Sequence, residues 1–264
     1  MDATEFELLL ARARDPRLIP GVYNYCDGRC PRCPFTRRCL VYLDSQELTD
    51  GAHHGSVANA VGDSLQRTLE IITKAARREG VNFDAPNEES TEPDAGADLE
   101  RHREDPLAVS AREYGQLAWR IGRAIAPIAA ARGDAPLIEA VETIEWFSSV
   151  ISSKLYRAIC GQAEGWEAGD EAQTDFNGSA RVALIGMVES RRAWAVLMEA
   201  GRATANGVPA QAVRLLEALD AALRDRFPRV MEFVRPGFDD PNAGADEPGP
   251  AADQLRGAPP GPAR

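Results

Sequence analysis

Apolar residues recur at steps of three and four along most of the chain, which is the spacing that one face of an α-helix produces. Long helices are predicted over 56–79, 106–132, 135–160, 175–200 and from 209 onward. The last is expected to continue or kink at Pro228 toward Phe233. Asp105-Pro106 is a favourable helix start, and Gly80 and Gly161 are favourable ends. No segment alternates for long as a β-strand does. The sequence therefore predicts an all-α protein, a helical bundle of about five long helices.

Polar and turn-forming residues divide the chain into three parts. Residues 1–50 contain a short predicted helix over 3–14 and a cysteine-rich segment. Residues 55–237 carry the bundle, interrupted at 81–105 by an acidic, proline-bearing stretch that we expect to be a mobile loop. The remainder, 238–264, is rich in Pro, Gly, Ala and Asp and is expected to be a disordered tail.

The cysteine-rich segment is the strongest candidate for chemistry. Its cysteines lie within 14 positions in the pattern C-x3-C-x2-C-x5-C and are Cys26, Cys30, Cys33 and Cys39. Four soft thiolates suit zinc or an iron-sulfur cluster and disfavour magnesium and calcium, which take oxygen ligands. Structural zinc usually pairs two C-x2-C turns across a longer loop, whereas cubane clusters take cysteines spaced closely along one segment. We therefore predict a [4Fe-4S] cluster on these cysteines, with zinc as the alternative metal.

The neighbours of the cysteines also bear on a metal site. Gly28, Pro31 and Pro34 favour turns, which would let backbone N–H groups face the sulfur atoms. The segment is locally basic, with four arginines at Arg29, Arg32, Arg37 and Arg38. Their charge could stabilise thiolates or contact an anionic partner, and a solvated surface explains them equally well.

The stretch from Cys30 to Cys39, CPRCPFTRRC, resembles a segment of RecB-type nucleases of the AddB and CRISPR-associated kinds. Those proteins hold a [4Fe-4S] cluster with a C-x2-C-x5-C segment and one distant upstream cysteine. The resemblance covers ten of 264 residues and implies cluster binding. It does not imply nuclease activity, because Cys26 is adjacent rather than distant and no strand-borne Asp and Glu-x-Lys pattern is visible. The YNYC sequence at 23–26 also resembles that of a group of bacterial helical proteins, which implies no activity.

Composition and charge limit the classes of function. The formal charge of -11 and the pI near 4.9 argue against general nucleic-acid binding, since a phosphate-binding surface needs a basic face. No run approaches the roughly 18 apolar residues of a membrane span, and the acidic N-terminus is unlike a secretory signal. We therefore expect a cytoplasmic protein whose cysteines stay reduced and favour metal binding over disulfides. Nearly all of the positive charge is arginine, which is typical of GC-rich bacterial genomes.

A second candidate site lies on the predicted helix over 175–200. Its start gathers polar groups where backbone N–H groups could bind an anion, and its second half adds a carboxylate and a guanidinium. The residues are Asp175, Asn177, Ser179, Arg181, Glu189 and Arg192. Capping of the helix by Asp175 or Asn177 explains most of this pattern without a ligand.

The predicted helix over 135–160 carries three further candidate features. Glu142 and Glu145 could hold two metals inside a bundle, but such sites use Glu-x-x-His pairs, which the chain lacks. A band of serines favours close helix approach over catalysis and consists of Ser148, Ser149, Ser152 and Ser153. Lys154 is interpreted as a buried base, an anion ligand or a surface lysine with a buried stem.

Three functions stay open on the sequence alone. The first is a cytoplasmic iron-sulfur protein whose cluster serves structure, sensing or electron transfer. The second is a zinc-stapled module that docks on a protein partner through its helices. The third is a bundle enzyme with its site away from the cysteines, for which no catalytic residues are indicated.

Overall fold

The computed structural model describes residues 14–51, 100–164, 171–200 and 207–239, with isolated positions at 11–12 and between 62 and 80. Its helices are α1 (Leu40–Gly51), α2 (Pro106–Arg132), α3 (Ala135–Glu164), α4 (Asp175–Glu199) and α5 (Val208–Arg226). Short 3-10 turns precede α1, and these described ranges contain no strand. The predicted all-α fold is confirmed. The predicted helices over 3–14 and 56–79 lie largely outside the described residues, as do the predicted loop and tail.

The chain forms two compact units. The N-terminal unit comprises Met1–Tyr23, Arg29–Glu79 and Pro236–Arg264, and the bundle unit comprises Asn24–Gly28 and Gly80–Arg235. The cysteine-rich segment is therefore divided. Cys26 belongs to the bundle unit, whereas the three cysteines that follow it belong to the N-terminal unit.

Local capping chemistry determines where α2 begins and ends. The Asp105 side chain accepts the backbone N–H of Leu107 at 2.9 Å, and Pro106 occupies the first turn, where a missing N–H costs nothing. Gly133 follows the helix with φ 61°, the left-handed conformation that glycine adopts without strain. Pro127 lies inside α2 and does not end it. The start predicted at Asp105-Pro106 is thus confirmed.

The bundle unit is built from four helices that contact one another in a ring. Helix α3 packs against α2 and α4, and α5 packs against α4 and α2. Only residues 133 and 134 join α2 to α3, so this pair forms an antiparallel hairpin. The largest fully buried side chains include Trp194, Tyr114, Phe147, Phe227, Leu155 and Ile151. No cysteine is among the described residues that form this core.

A polar contact between Trp194 and Tyr114 crosses the core between α2 and α4. The Trp194 Nε1–H donates to the Tyr114 hydroxyl at 3.2 Å, and both side chains are fully buried. Burial raises the pKa of Tyr114 above its usual value, so the phenol stays neutral and able to accept this bond. The contact satisfies two polar groups that would otherwise destabilise the interior.

Small residues allow α2 and α3 to approach closely. A Cβ atom added at Gly115 would lie 2.5 Å from the backbone oxygen of Ser148 and 3.8 Å from Ser152 Oγ. Ser148 Oγ donates to the Glu145 carbonyl oxygen at 2.6 Å, within its own helix. Ser148 and Ser152 therefore lie at a close helix contact, as predicted, whereas Ser149 and Ser153 are exposed.

Replacing Gly115 by alanine is expected to destabilise the bundle by about 1–3 kcal/mol, the usual cost of overpacking. The added methyl group would meet a backbone oxygen, which cannot move without shifting α3. Gly161→Ala is the matched control, because its Cβ would lie 3.5 Å from Phe176 Cβ, an ordinary contact, and alanine favours a helix by roughly 1 kcal/mol. Urea unfolding followed by circular dichroism measures both, and equal free energies of unfolding for the two variants would contradict this packing.

Three predicted helix boundaries, two C-terminal ends and one N-terminal cap, were wrong. Helix α3 continues through Gly161 to Glu164, and α5 ends at Arg226 instead of running on toward Phe233. The residues after α5 form turns whose Phe227, Val230 and Phe233 side chains are buried. The N-cap of α4 is Thr174, whose side chain accepts the Asn177 N–H, and neither Asp175 nor Asn177 takes that place.

Candidate metal centre

Three of the four cysteines lie on or directly after two consecutive 3-10 turns in the N-terminal unit. Cys30 begins the first turn, and Cys33 follows it with its N–H donating to the Cys30 carbonyl at 3.0 Å. Cys39 follows the second turn, Thr36–Arg38, and its N–H donates to the Thr36 carbonyl at 3.4 Å. Each cysteine after the first thus comes directly at the end of a tight turn.

A backbone N–H faces one of the sulfur atoms. The N–H of Phe35 donates to Cys33 Sγ at 3.4 Å, across Pro34, which has no N–H of its own. Hydrogen bonds of this kind stabilise thiolate ligands and tune the potential of iron-sulfur clusters. The expectation that the turn directs N–H groups toward sulfur is confirmed at Cys33.

Contacts inside the N-terminal unit hold the second turn. The N–H of Ile19 donates to the Arg38 carbonyl at 2.9 Å, and Arg38 Nε donates to the Arg17 carbonyl at 3.2 Å. The Phe35 ring packs edge-on against Phe238, with centroids 5.0 Å apart. Residues distant in sequence therefore fix the backbone between Cys33 and Cys39.

Cys26 lies in the bundle unit, on a segment whose backbone is bound by two side chains of α3. Lys154 Nζ donates to the Asn24 carbonyl at 2.6 Å. Trp146 Nε1 donates to the Asp27 carbonyl at 2.7 Å. The backbone is therefore held two residues before Cys26 and one residue after it.

The Tyr25 side chain binds the start of α4. Its hydroxyl donates to Asp175 Oδ1 at 3.0 Å, and the same carboxylate accepts Arg157 at 2.9 and 2.6 Å. The Tyr25 ring packs edge-on against Phe233, with centroids 4.7 Å apart. Gly178 leaves room for both rings, since a Cβ there would lie 2.3 Å from Tyr25 and 2.6 Å from Phe233. The segment that carries Cys26 is thus docked through polar and aromatic contacts together.

Lys154 is a half-buried cation in the field of Cys26. Burial lowers its pKa, the charge of Arg157 lowers it further, and Cys26 and Asp175 act in the opposite direction. Its ammonium group donates to the Asn24 carbonyl. Lys154 is therefore not an exposed surface lysine, and its ammonium group is bound to the backbone. No local sequence pattern predicts this contact, since 130 residues separate the two groups.

The donor chemistry of the segment suits a thiophilic metal. All five cysteines lie in the described residues, all are partly buried, and none is in a disulfide. Within the described ranges, no group of three or more His, Cys, Asp or Glu side chains is arranged so that it could hold a metal ion. The fit to a metal therefore rests on the type and spacing of the donors and on the N–H···S contact at Cys33.

The polar residues at the start of α4 bind other parts of the protein. The Asp175 carboxylate is shared by Arg157 and Tyr25, and Asn177 Nδ2 donates to the carbonyls of Glu171 and Ala172 at 2.8 and 3.3 Å. These contacts give both side chains a role in joining elements of the bundle unit. The carboxylate also puts negative charge at the helix start, which disfavours an anionic ligand there.

Two buried polar atoms of the second candidate site have no hydrogen-bond partner. They are Ser179 Oγ and Arg181 Nε. Arg181 also directs Nη1 to Met231 Sδ at 2.8 Å, a weak acceptor. Nothing in these contacts shows a ligand.

Glu189 and Arg192 form an ion pair with each other on the surface of α4. The Arg192 side chain is 72% exposed. Glu189 is 14 residues beyond Asp175 on the same helix, which corresponds to about 21 Å along the axis. The structure therefore does not bring this pair to the helix start.

Comparison with known proteins finds no match to this chain among protein-family models, curated proteins or solved structures. In the part of the chain that the structure describes, no helix is long and apolar enough to cross a membrane.

Proposed function

We propose that the protein binds a [4Fe-4S] cluster through Cys26, Cys30, Cys33 and Cys39. The pattern of four closely spaced cysteines carries the proposal. The Phe35 N–H that donates to Cys33 Sγ supports it, because cluster sulfur ligands are commonly stabilised in this way. A reducing, cytoplasmic compartment, in which thiolate ligands persist, is part of the same proposal.

The residues around the cysteines suit a centre with a structural, sensing or electron-transfer role. When bound, the cluster supplies a one-electron redox couple. The chain orients the ligands with two 3-10 turns and holds the backbone on both sides of Cys26. Nuclease activity is not proposed, since the described ranges contain no strand on which the carboxylates of that chemistry would lie.

A zinc-stapled module that docks on a protein partner is the second candidate. The Cys30–Cys33 spacing, with the Cys33 N–H donating to the Cys30 carbonyl at 3.0 Å, favours it, because C-x2-C turns of this kind are common in structural zinc sites. Zinc would supply folding free energy to the segment and no redox chemistry.

Purification without oxygen, followed by metal and sulfide analysis and an absorption spectrum, tests the proposal. We expect about four irons and four sulfides per chain and a broad brown absorption that bleaches on reduction. A colourless protein with one zinc and no iron would contradict the cluster and leave the zinc module. A protein with neither metal would contradict both candidates.

A further inference from the structure

A cleft of about 410 Å³ lies in the bundle unit between the start of α2 and the C-terminal half of α5. This volume falls within the range of about 300–1,000 Å³ over which protein pockets bind small molecules. Ala218 and Ala222 of α5 line the cleft and are exposed, so their short side chains leave the space open. The apolar wall also includes Leu107, Leu215 and Leu219. A ligand that enters this cleft therefore meets aliphatic groups from two helices.

Hydrogen bonds within the protein occupy two of the charged residues that line the cleft, Asp105 and Arg226. Asp105 Oδ1 accepts the Leu107 N–H at 2.9 Å, and Oδ2 accepts Arg226 Nη1 at 3.0 Å. Arg226 Nε donates to Gln162 Oε1 of α3 at 2.6 Å. Both carboxylate oxygens and two of the three guanidinium nitrogens are thus bound. The charges of this ion pair offset each other, so the pair adds no net charge to the cleft.

Asp225 gives the cleft an unbalanced negative charge. It precedes Arg226 in the last turn of α5, lines the cleft and is exposed. No residue in the described ranges forms a hydrogen bond or ion pair with its carboxylate. The C-terminal end of a helix also favours a cation, because the carbonyl groups of the last turn carry partial negative charge. A positively charged group is therefore the best complement to this part of the lining.

We propose that the cleft binds an organic cation with an apolar body, of which a primary alkylamine is the simplest example. The ammonium group pairs with Asp225, and the alkyl chain lies against the leucines and alanines of the apolar wall. An alkyl carboxylate of the same length would bring its charge close to the Asp225 carboxylate, and an alcohol would leave that charge unpaired. The cleft contains none of the cysteines, so this site is independent of the proposed metal centre.

Titration of the isotope-labelled whole chain with hexylamine, hexanol and hexanoate, followed by NMR of the backbone amides, tests this assignment. The three probes share a six-carbon chain and differ in the charge of the polar group. We expect the largest amide shifts at residues 105–110 and 215–226. Hexylamine should bind most tightly and hexanoate least tightly.

One pair of variants tests the charge of the site. Asp225→Asn should weaken hexylamine binding about 3–10-fold, because it removes the charge and keeps the size of the side chain. Glu217→Gln is the matched control, since Glu217 is an exposed carboxylate of α5 outside the cleft. It should bind hexylamine as the wild type does.

A second pair of variants tests the shape of the cleft. Ala222→Leu should weaken hexylamine binding by about tenfold or more, since each methylene group kept out of an apolar site costs roughly fourfold in affinity. Ala221→Leu is the matched control, because Ala221 is an exposed alanine of the same helix outside the cleft. Leucine is a good helix former, so circular dichroism should show both variants folded.

The possible negative results overturn different parts of the proposal. If hexanoate binds as tightly as hexylamine, or if Asp225→Asn binds hexylamine as tightly as Glu217→Gln, the cationic class of the ligand is overturned. If no probe shifts the amides along the cleft, or if Ala222→Leu binds as tightly as Ala221→Leu, the binding site itself is overturned. Cys33→Ser should bind hexylamine as the wild type does, which separates this test from that of the metal centre.

Discussion

Replacing Cys33 by serine is expected to reduce the bound metal from one centre per chain to almost none. Cys33 lies at the end of a 3-10 turn, and its sulfur accepts the Phe35 N–H, so local contacts hold this proposed ligand in place. A serine hydroxyl is a poor ligand for a soft metal at neutral pH. Iron, sulfide and zinc analysis of the purified variant measures the loss.

The fold of the bundle unit should survive this substitution. Its core is formed by α2 to α5, and the Trp194–Tyr114 contact lies within it. Far-ultraviolet circular dichroism of Cys33→Ser should therefore stay close to that of the wild type. Cys160→Ser is the matched control, because Cys160 lies on α3 outside the cysteine pattern and should leave the metal content unchanged. Full metal content in Cys33→Ser would refute the assignment of this ligand.

Replacing Gly178 by alanine is expected to displace Tyr25 and with it the segment that carries Cys26. The new Cβ would lie 2.3 Å from Tyr25 Cε1 and 2.6 Å from Phe233 Cζ, distances at which the rings must move. We expect a loss of about 1–3 kcal/mol from overpacking, and roughly 1 kcal/mol more if the Tyr25–Asp175 hydrogen bond breaks. Urea unfolding measures the stability, and metal analysis shows whether displacement of Tyr25 also weakens the centre.

The control for this substitution is again Gly161→Ala, whose added methyl group makes only an ordinary contact with Phe176. It should be as stable as the wild type or more so, because alanine is the better helix former. If Gly178→Ala left both the free energy of unfolding and the hydrogen exchange of the peptide over 24–28 unchanged, the position of the Tyr25 ring would not depend on the gap at Gly178.

Local signals predicted the helices well where the physical cause is itself local. The cap at Asp105 and the proline at Pro106 act within one turn, and both gave the correct start of α2. The spacing of apolar residues similarly predicted the helices whose apolar faces form the core of the bundle. These parts of the fold follow from the sequence because the interacting groups are at most a few residues apart.

The wrong helix ends show where packing outweighs local preference. Gly161 costs a helix only about 1 kcal/mol, and α3 continues past it to Glu164, with Phe176 beside it. Thr174, Asp175 and Asn177 are all good N-cap residues, so the choice among them depends on the partners that Asp175 and Asn177 find elsewhere. Tertiary contacts determine these helix boundaries, and the spacing of apolar residues along the chain does not predict such contacts.

The ligands of the candidate site stay a prediction from the sequence, and the contacts that hold the segment around them were not predicted. The four cysteines are recognisable because their spacing lies within one short segment. Lys154 and Asn24 are 130 residues apart, and Tyr25 and Asp175 are 150 apart, so no local pattern connects them. The contact between Lys154 and the Asn24 carbonyl was not predicted for the same reason.

Native mass spectrometry of the protein purified without oxygen tests the central claim most directly, because it weighs the intact chain with whatever it holds. The account predicts one dominant species whose mass equals the chain plus four irons and four sulfides, and a bare chain for Cys33→Ser. A wild-type protein that is observed only as the bare chain, under conditions that preserve metal centres in other proteins, would contradict the account.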